Sequence, residues 1–238
     1  MSNFLKTNII VTILFFLVVS CNKNVNKSMS NNILLNEWIG PFDGVPAFDK
    51  MKIEDVKEAM LESMKLNLED IERIVQNNEK PNFENTIAEM ERSGKELNRA
   101  YAYYGILSNN MSSPEFRTIQ SELAPLFSEF QSKITQNEVL FNRIKSVYEL
   151  SQKDQLEDDQ QRVVELIYKR FSMNGAELNN DDKLKYAAIN KKLSTLYTKF
   201  SNNVLHDEEN YVTYLEKNQL GGLSDGYIKS AAKIAEDK

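Results

Sequence analysis

Apolar side chains recur every three or four residues through most of this chain, and that spacing limits the folds open to it more than any other feature. It is most regular between Pro81 and Tyr104. The residues that follow it there are Phe83, Ile87, Met90, Gly94, Leu97, Tyr101 and Tyr104. On an α-helix such residues form one narrow stripe along one face. The pattern predicts a helix whose stripe is buried against a second helix.

Local signals fit this predicted helix. Pro81 suits the lead-in or first turn, where its missing N–H costs nothing, and Glu84 places negative charge near the positive end of the helix dipole. Gly94 lies inside the stripe, where a glycine costs about 1 kcal/mol relative to alanine. We therefore expect a neighbouring helix to cross close to the backbone at Gly94.

The same periodicity predicts helices on both sides of this stretch. They cover residues 54–75, 114–134, 140–148, 163–171 and 180–204, and a last one begins at residue 225. Capping residues are predicted at Ser113, Gly175 and Asn180, and a kink at Pro125. The helix over residues 180–204 is long, and we expect it to lie along the bundle. It carries a further stripe, formed by Ile189, Leu193, Leu196, Phe200 and Val204.

These patterns predict an all-α fold for residues 33–238: a lobe made of an antiparallel helical bundle preceded by an extended arm. The arm, residues 34–48, is dense in glycine, proline and aromatic residues and has neither helical nor strand periodicity. Trp38, Phe42 and Phe48 need apolar partners, so we expect the arm to pack across the helices.

The amino terminus predicts export. Lys6 precedes an apolar run over residues 9–19, which is the length of a signal-peptide core and too short to span a bilayer comfortably. The sequence Val18-Val19-Ser20-Cys21 is similar to a lipoprotein cleavage site, so we predict a signal peptide in residues 1–20 and lipidation of Cys21. The alternative is an ordinary secretory signal that contains a cysteine. Residues 21–32 have the composition of a flexible tether.

Composition argues against internal disulfides and against nucleic-acid binding. Cys21 is the single cysteine, so no internal disulfide can form. Aspartate and glutamate number 35 against 29 lysines and arginines, a net charge of −6. Nucleic-acid binding needs a basic surface that releases counterions from phosphates, so we predict no nucleic-acid partner.

Several motifs together resemble one enzyme family. They are Pro81-x-Phe83-Glu84-Asn85-Thr86-Ile87, Glu91-x-Ser93-Gly94, Gly44-x-Pro46-x-Phe48-Asp49, Asn174-Gly175-Ala176 and the Asn190-to-Asn203 pattern. In this order they resemble the amino-terminal portion of the thimet oligopeptidase and peptidyl-dipeptidase family of zinc metallopeptidases. Phe130, where a histidine is common, and the Glu54-Asp55-Val56 start depart from the family pattern.

The resemblance implies the front part of a larger, two-lobed helical enzyme that degrades short peptides with zinc. In that family a His-Glu-x-x-His helix carries the chemistry, and this chain contains one histidine. We therefore predict no catalytic residue and no metal site here, and no activity from this chain alone. With the lipid anchor, the expected location is the membrane of the cell envelope, on its periplasmic or outer-membrane face. The alternative function is a non-catalytic helical lipoprotein that binds a peptide or a partner.

Three further groups of residues were weighed for chemistry. His206, with Asp207, Glu208 and Glu209, is more typical of a solvated helix end than of a metal site. Acid pairs such as Glu89 with Glu91, or Asp158 with Asp159, are typical of soluble helix surfaces. Tyr101, Tyr103 and Tyr104 can line a peptide channel or pack in the core, and the stripe favours packing.

Overall fold

The structure, a computed structural model, describes residues 32–41, 44–153 and 156–236, and every regular element in those ranges is helical. The elements up to residue 109 are a 3-10 turn Ile33–Leu35, α1 (Ile53–Val75), a π-helical turn Phe83–Ala88, α2 (Glu89–Arg92) and α3 (Lys95–Asn109). They are followed by α4 (Pro114–Thr135), α5 (Glu138–Ser151), α6 (Asp158–Met173), α7 (Asn180–Asn210), a 3-10 turn Lys217–Gln219 and α8 (Asp225–Glu236). The predicted all-α class is confirmed. Cys21, the predicted signal peptide and Phe42 lie outside the described residues.

Two hydrophobic clusters form the core, and α1 contributes to both. The first cluster joins the amino-terminal half of α1 to α3, α4 and the Ile33–Leu35 turn. The second joins Ile71 and Ile74, near the end of α1, to the π-helical turn, α5 and α6. α1 is therefore the element around which the helices are arranged.

Short-range signals set most helix ends. The Ser113 side chain accepts a hydrogen bond from the Phe116 N–H at 3.1 Å, and Asn137 caps α5 in the same way. Gly175, with φ at +85°, ends α6 as predicted. The cap of α7 is Asn179 rather than the predicted Asn180, because the Asn179 side chain accepts from the Asp182 N–H at 3.0 Å. α4 is continuous through Pro125, and the kink predicted there stays a prediction.

The helix predicted from Phe83 through Tyr104 is not continuous, which corrects the sequence interpretation. It begins with a π-helical turn, ends its first part at Arg92, and restarts at Lys95. Gly94 separates the two parts with φ at +69°, a left-handed conformation that side chains with a Cβ rarely adopt. The break changes the register of α3, so its buried face differs from the predicted stripe.

The close contact expected at Gly94 is present. The Gly94 N–H donates to the Asp70 carboxylate of α1 at 2.9 Å. A Cβ at this position would lie 2.8 Å from the Asn67 side-chain nitrogen, also on α1. Gly94 thus serves both as the left-handed residue before α3 and as the point where the chain approaches α1.

Replacing Gly94 with alanine should destabilise the fold by about 1–2 kcal/mol, because the left-handed conformation is strained for any residue with a Cβ. The clash with Asn67 adds to that cost. Gly105→Ala is the matched control, since Gly105 lies inside α3 with open space where its Cβ would be. Helix propensity predicts a gain of up to about 1 kcal/mol there. Urea unfolding followed by circular dichroism measures the stability of both variants. Equal gains in stability at the two positions would show that the backbone at Gly94 is not constrained.

The long helix lies along the bundle, as predicted, but its apolar stripe is not part of the core. All five of its residues are exposed in the structure, and the buried residue of α7 is Lys183. The helix packs on α4 through a more polar face, where the Ser194 hydroxyl donates to the Ala124 carbonyl at 2.6 Å. Arg117 of α4 also pairs with Glu209 through two bonds of 2.7 and 3.0 Å.

Within the described ranges, no helix combines the length and the apolar character needed to cross a membrane.

Candidate functional site

Tyr103 lies at the centre of the first cluster and is fully buried. The Ala47 N–H donates to its hydroxyl at 2.8 Å, so the segment before α1 is tied to α3. Trp38 and Phe48 contact the Tyr103 ring edge-on, with centroids 6.4 and 5.3 Å away. Packing, which the sequence favoured for the tyrosines, is therefore the observed role of Tyr103.

The predicted stripe places Tyr101 and Tyr104 in the core. The changed register of α3 alters the burial of both residues. Tyr101 is 38% exposed and Tyr104 is half-buried. Both rings contact Phe127 of α4 with centroids 5.4 Å apart, and Tyr104 also contacts Phe116 edge-on. We call Tyr101, Tyr104 and Phe127 the tyrosine surface.

Burial determines the protonation state of the two tyrosine hydroxyls in this surface. It raises the pKa of Tyr101, and it raises the pKa of Tyr104 to about 12, with a smaller contribution from neighbouring Tyr101. Both phenols therefore stay protonated at physiological pH. They offer flat apolar area and hydroxyl donors, but no base or nucleophile.

Arg143 of α5 is a buried side chain that binds the residues at the start of the Pro81-to-Ile87 motif. Its guanidinium donates to the Asn77 carbonyl at 2.6 Å, the Asn85 side-chain oxygen at 3.0 Å and the Thr86 hydroxyl at 3.2 Å. Burial lowers the pKa of Arg143, since it disfavours the charged form. The bonds fix the connection after α1 and the first residues of the π-helical turn.

The residues weighed for acid–base or metal chemistry do not come together. His206 is exposed near the end of α7, and its ring Nδ1 lies 3.2 Å from the Asn210 side-chain nitrogen. Glu89 pairs with Arg92 at 2.9 Å, and Asp158 and Asp159 form the exposed first turn of α6. In the ranges that the structure describes, no three acidic, histidine or cysteine side chains are placed to hold a metal ion.

Sequence reasoning missed Phe127 and Arg143. Phe127 follows Leu123 by four residues and precedes Phe130 by three, so its spacing pointed toward a second edge of the apolar face of α4. Arg143 stands between Phe141 and Ile144 in an apolar stretch, which indicates a partly buried side chain. The oxygens that accept its hydrogen bonds are 57 to 66 residues away in the chain, so they leave no local signal in the sequence.

Comparison with known proteins gives one family. Residues 57–183 match the family model described as "Neurolysin/Thimet oligopeptidase, N-terminal domain". That range contains most of α1 and both hydrophobic clusters apart from the Ile33–Leu35 turn and Val56.

Relatives of known activity align over most of the chain. The dipeptidyl carboxypeptidase of Salmonella typhimurium is 27% identical over 211 residues, covering 88% of this chain and 31% of that protein. The dipeptidyl carboxypeptidase of Escherichia coli is 28% identical over 194 residues, covering 81% and 28%. The oligopeptidase A of Haemophilus influenzae is 27% identical over 214 residues, covering 89% and 30%. The chain thus spans about three tenths of the length of these relatives.

Proposed function

Because the chain belongs to the neurolysin/thimet oligopeptidase family, as its amino-terminal domain, we propose that it acts in peptide degradation as the first lobe of a zinc metallopeptidase. The observation that carries this proposal is the family match, which runs through α1 and the two clusters built around it. The alignments with dipeptidyl carboxypeptidases and with an oligopeptidase support peptides as the substrate class.

The zinc site belongs, in this proposal, to polypeptide outside these 238 residues. A catalytic zinc takes three protein ligands and keeps one position open. The chain has one histidine, and its ring lies beside an amide rather than beside a carboxylate. The residues present therefore do not fit a zinc ion, and no catalytic step is assigned to them.

The contribution of this lobe is then to bind and confine the peptide. The tyrosine surface supports that role, since it combines exposed aromatic area with protonated hydroxyls that can donate to peptide carbonyls. The same surface would serve the second candidate function, a non-catalytic module that binds a peptide or a partner. The two functions differ in whether a reading frame adjoining this chain encodes His-Glu-x-x-His.

Membrane attachment is also part of the proposal. We place the mature protein in the cell envelope, held by a lipid on Cys21, because Val18-Val19-Ser20-Cys21 follows a signal-like apolar run. Mass spectrometry of the mature amino terminus should find an acylated Cys21. An unmodified cysteine there, or cleavage at another position, would refute lipid anchoring.

The chain from Asn22 onward should bind no stoichiometric zinc and cleave no peptide. This segment keeps every residue that the structure describes, so the fold is retained while the ligand count stays too low for zinc. The measurements are metal content after chelation and zinc addition, circular dichroism, and hydrolysis of a quenched-fluorescence peptide.

His206→Ala provides the matched control for that experiment, because His206 is the one imidazole ligand that the chain could offer. Zinc content and turnover should be equally absent in both proteins. Chelator-sensitive hydrolysis by the purified chain, lost in His206→Ala, would contradict the proposal and identify a metal site on this lobe.

A further inference from the structure

α7 differs from the other long helices in how it joins the fold. In the described part of the chain, no α7 residue belongs to either hydrophobic cluster, whereas α1, α3, α4, α5 and α6 each contribute buried residues to them. The family model also ends at residue 183, in the first turn of α7. Two independent observations thus separate this 31-residue helix from the domain that precedes it.

The face of α7 that lies against α4 is polar. Its partly buried residues recur at intervals of four, which places them on one face of the helix: Asn190, Ser194, Thr198 and Asn202. The Ser194 hydroxyl donates to the Ala124 carbonyl at 2.6 Å, and the Asn202 amide donates to the Ser121 hydroxyl at 3.4 Å. Such hydrogen bonds replace bonds to water, so they stabilise the contact only modestly.

Two ion pairs complete the contact between α4 and α7. Lys191 pairs with Glu129, and both side chains are about half exposed. Arg117 of α4 forms two bonds with Glu209 at the end of α7, and the Glu209 side chain is 44% exposed. Salt screens the attraction between charges that are open to water. The α4–α7 contact should therefore weaken as the ionic strength rises.

The start of α7 is fastened more firmly than the rest of the helix. The Lys183 side chain is buried and donates to Glu138 of α5 at 3.1 Å. The Lys183 carbonyl accepts a hydrogen bond from the Gln136 side chain at 3.3 Å. From Lys183 to Glu209 the helix is about 39 Å long. A rotation about the Lys183 end is therefore largest at the Arg117–Glu209 ion pair.

We propose that α7 is a movable helix, which swings away from α4 about its Lys183 end while the two hydrophobic clusters stay packed. Contacts between domains are typically more polar than a core, and the parts that they join move relative to one another. The contact between α4 and α7 has this character. The proposal does not depend on the peptidase function, since it uses only contacts within this chain.

Thiol labelling measures the opening, because the chain from Asn22 contains no cysteine. Ala124 is 4% exposed, belongs to neither cluster and bonds to Ser194 through its carbonyl, so Ala124→Cys places a thiol that becomes reactive when α7 swings away. Ala100→Cys is the matched control, because Ala100 is 1% exposed within the first cluster. Its thiol should react only when the core unfolds.

The measured quantity is the rate at which each folded variant reacts with iodoacetamide, an uncharged reagent. It is followed at about 0.1 M and about 1 M sodium chloride, between which the Debye length falls from about 10 Å to about 3 Å. A second series adds urea below the unfolding transition.

Ala124→Cys should react at least about tenfold faster than Ala100→Cys, because opening one part of a structure costs less than unfolding all of it. Its rate should rise with salt, as the ion pairs are screened. The same rate should depend only weakly on urea, since the swing exposes little surface. The rate of Ala100→Cys should rise steeply with urea and change little with salt.

Glu209→Gln in the Ala124→Cys protein removes the charge that pairs with Arg117. We expect a faster reaction at low salt and a smaller further effect of salt. Glu208→Gln is its control, because Glu208 is exposed beside Glu209 and makes no ion pair among the described residues. Ser194→Cys reports the same opening from the other side of the contact. Circular dichroism and urea unfolding show whether each variant keeps its fold.

Two outcomes overturn the proposal. Equal rates for Ala124→Cys and Ala100→Cys, with the same dependence on urea, would show that α7 leaves α4 only when the core unfolds. A fast reaction of Ala124→Cys that neither salt nor Glu209→Gln changes would show that the ion pairs do not hold the helix against α4.

Discussion

Tyr103→Ala should lower the free energy of unfolding by about 3–5 kcal/mol, the cost of removing a large aromatic ring from a packed core. The ring is fully buried and is the contact surface for Trp38 and Phe48. Its loss also leaves the Ala47 N–H without its partner. Urea unfolding monitored by circular dichroism gives the change directly.

Two controls separate the parts of this effect. Tyr103→Phe keeps the ring and removes the hydroxyl, so the expected loss is about 1 kcal/mol. Tyr101→Ala changes the same residue type on the same helix but at a 38% exposed position, so its cost should be clearly smaller. Equal losses for Tyr101→Ala and Tyr103→Ala would contradict the observed register of α3.

Arg143→Met should cost about 3 kcal/mol, because its guanidinium makes several charge-assisted hydrogen bonds and its removal leaves buried acceptors unpaired. The acceptors are the carbonyls of Asn77, Glu79 and Asn85 and the side-chain oxygens of Asn85 and Thr86. Arg143→Lys should be nearly as damaging, since one ammonium cannot reach acceptors spread over the planar fork of a guanidinium.

Arg162→Met is the control for Arg143→Met. Arg162 is 68% exposed on α6 and pairs with Glu165 at 3.5 Å, so its replacement should change stability by no more than about 0.5 kcal/mol. The midpoints of urea unfolding of the three variants test this prediction. If Arg143→Met matched Arg162→Met, the hydrogen bonds of Arg143 would not hold the π-helical turn.

The sequence predicted those features that depend on contacts between residues close together in the chain. Ser113 and Gly175 cap their helices as predicted because each acts on backbone groups within a few residues. The break at Gly94 was missed because apolar residues in the sequence keep their three- and four-residue spacing across it, and spacing alone does not reveal a left-handed residue. For the same reason the stripe indicated Tyr101 as a core residue, whereas the chain buries Tyr103.

Longer-range features could not be predicted in this way. Periodicity identified the apolar face of α7 but not what covers it, because the stripe is the same for any partner. The five acceptors of Arg143 are brought to it by the packing of α5 against the turn after α1. The tyrosine surface likewise depends on the approach of Phe127 from α4, which no local pattern specifies.

The position of α1 in both clusters has a consequence for how the domain unfolds. One end of this 23-residue helix packs in the first cluster and the other end in the second. Neither half of the core can lose its packing without exposing part of a helix that the other half needs, so the two halves form one cooperative unit. A substitution at Arg143 should therefore also weaken the packing around Tyr103, because α1 links the two clusters. Backbone amides in both clusters should exchange with solvent at similar rates.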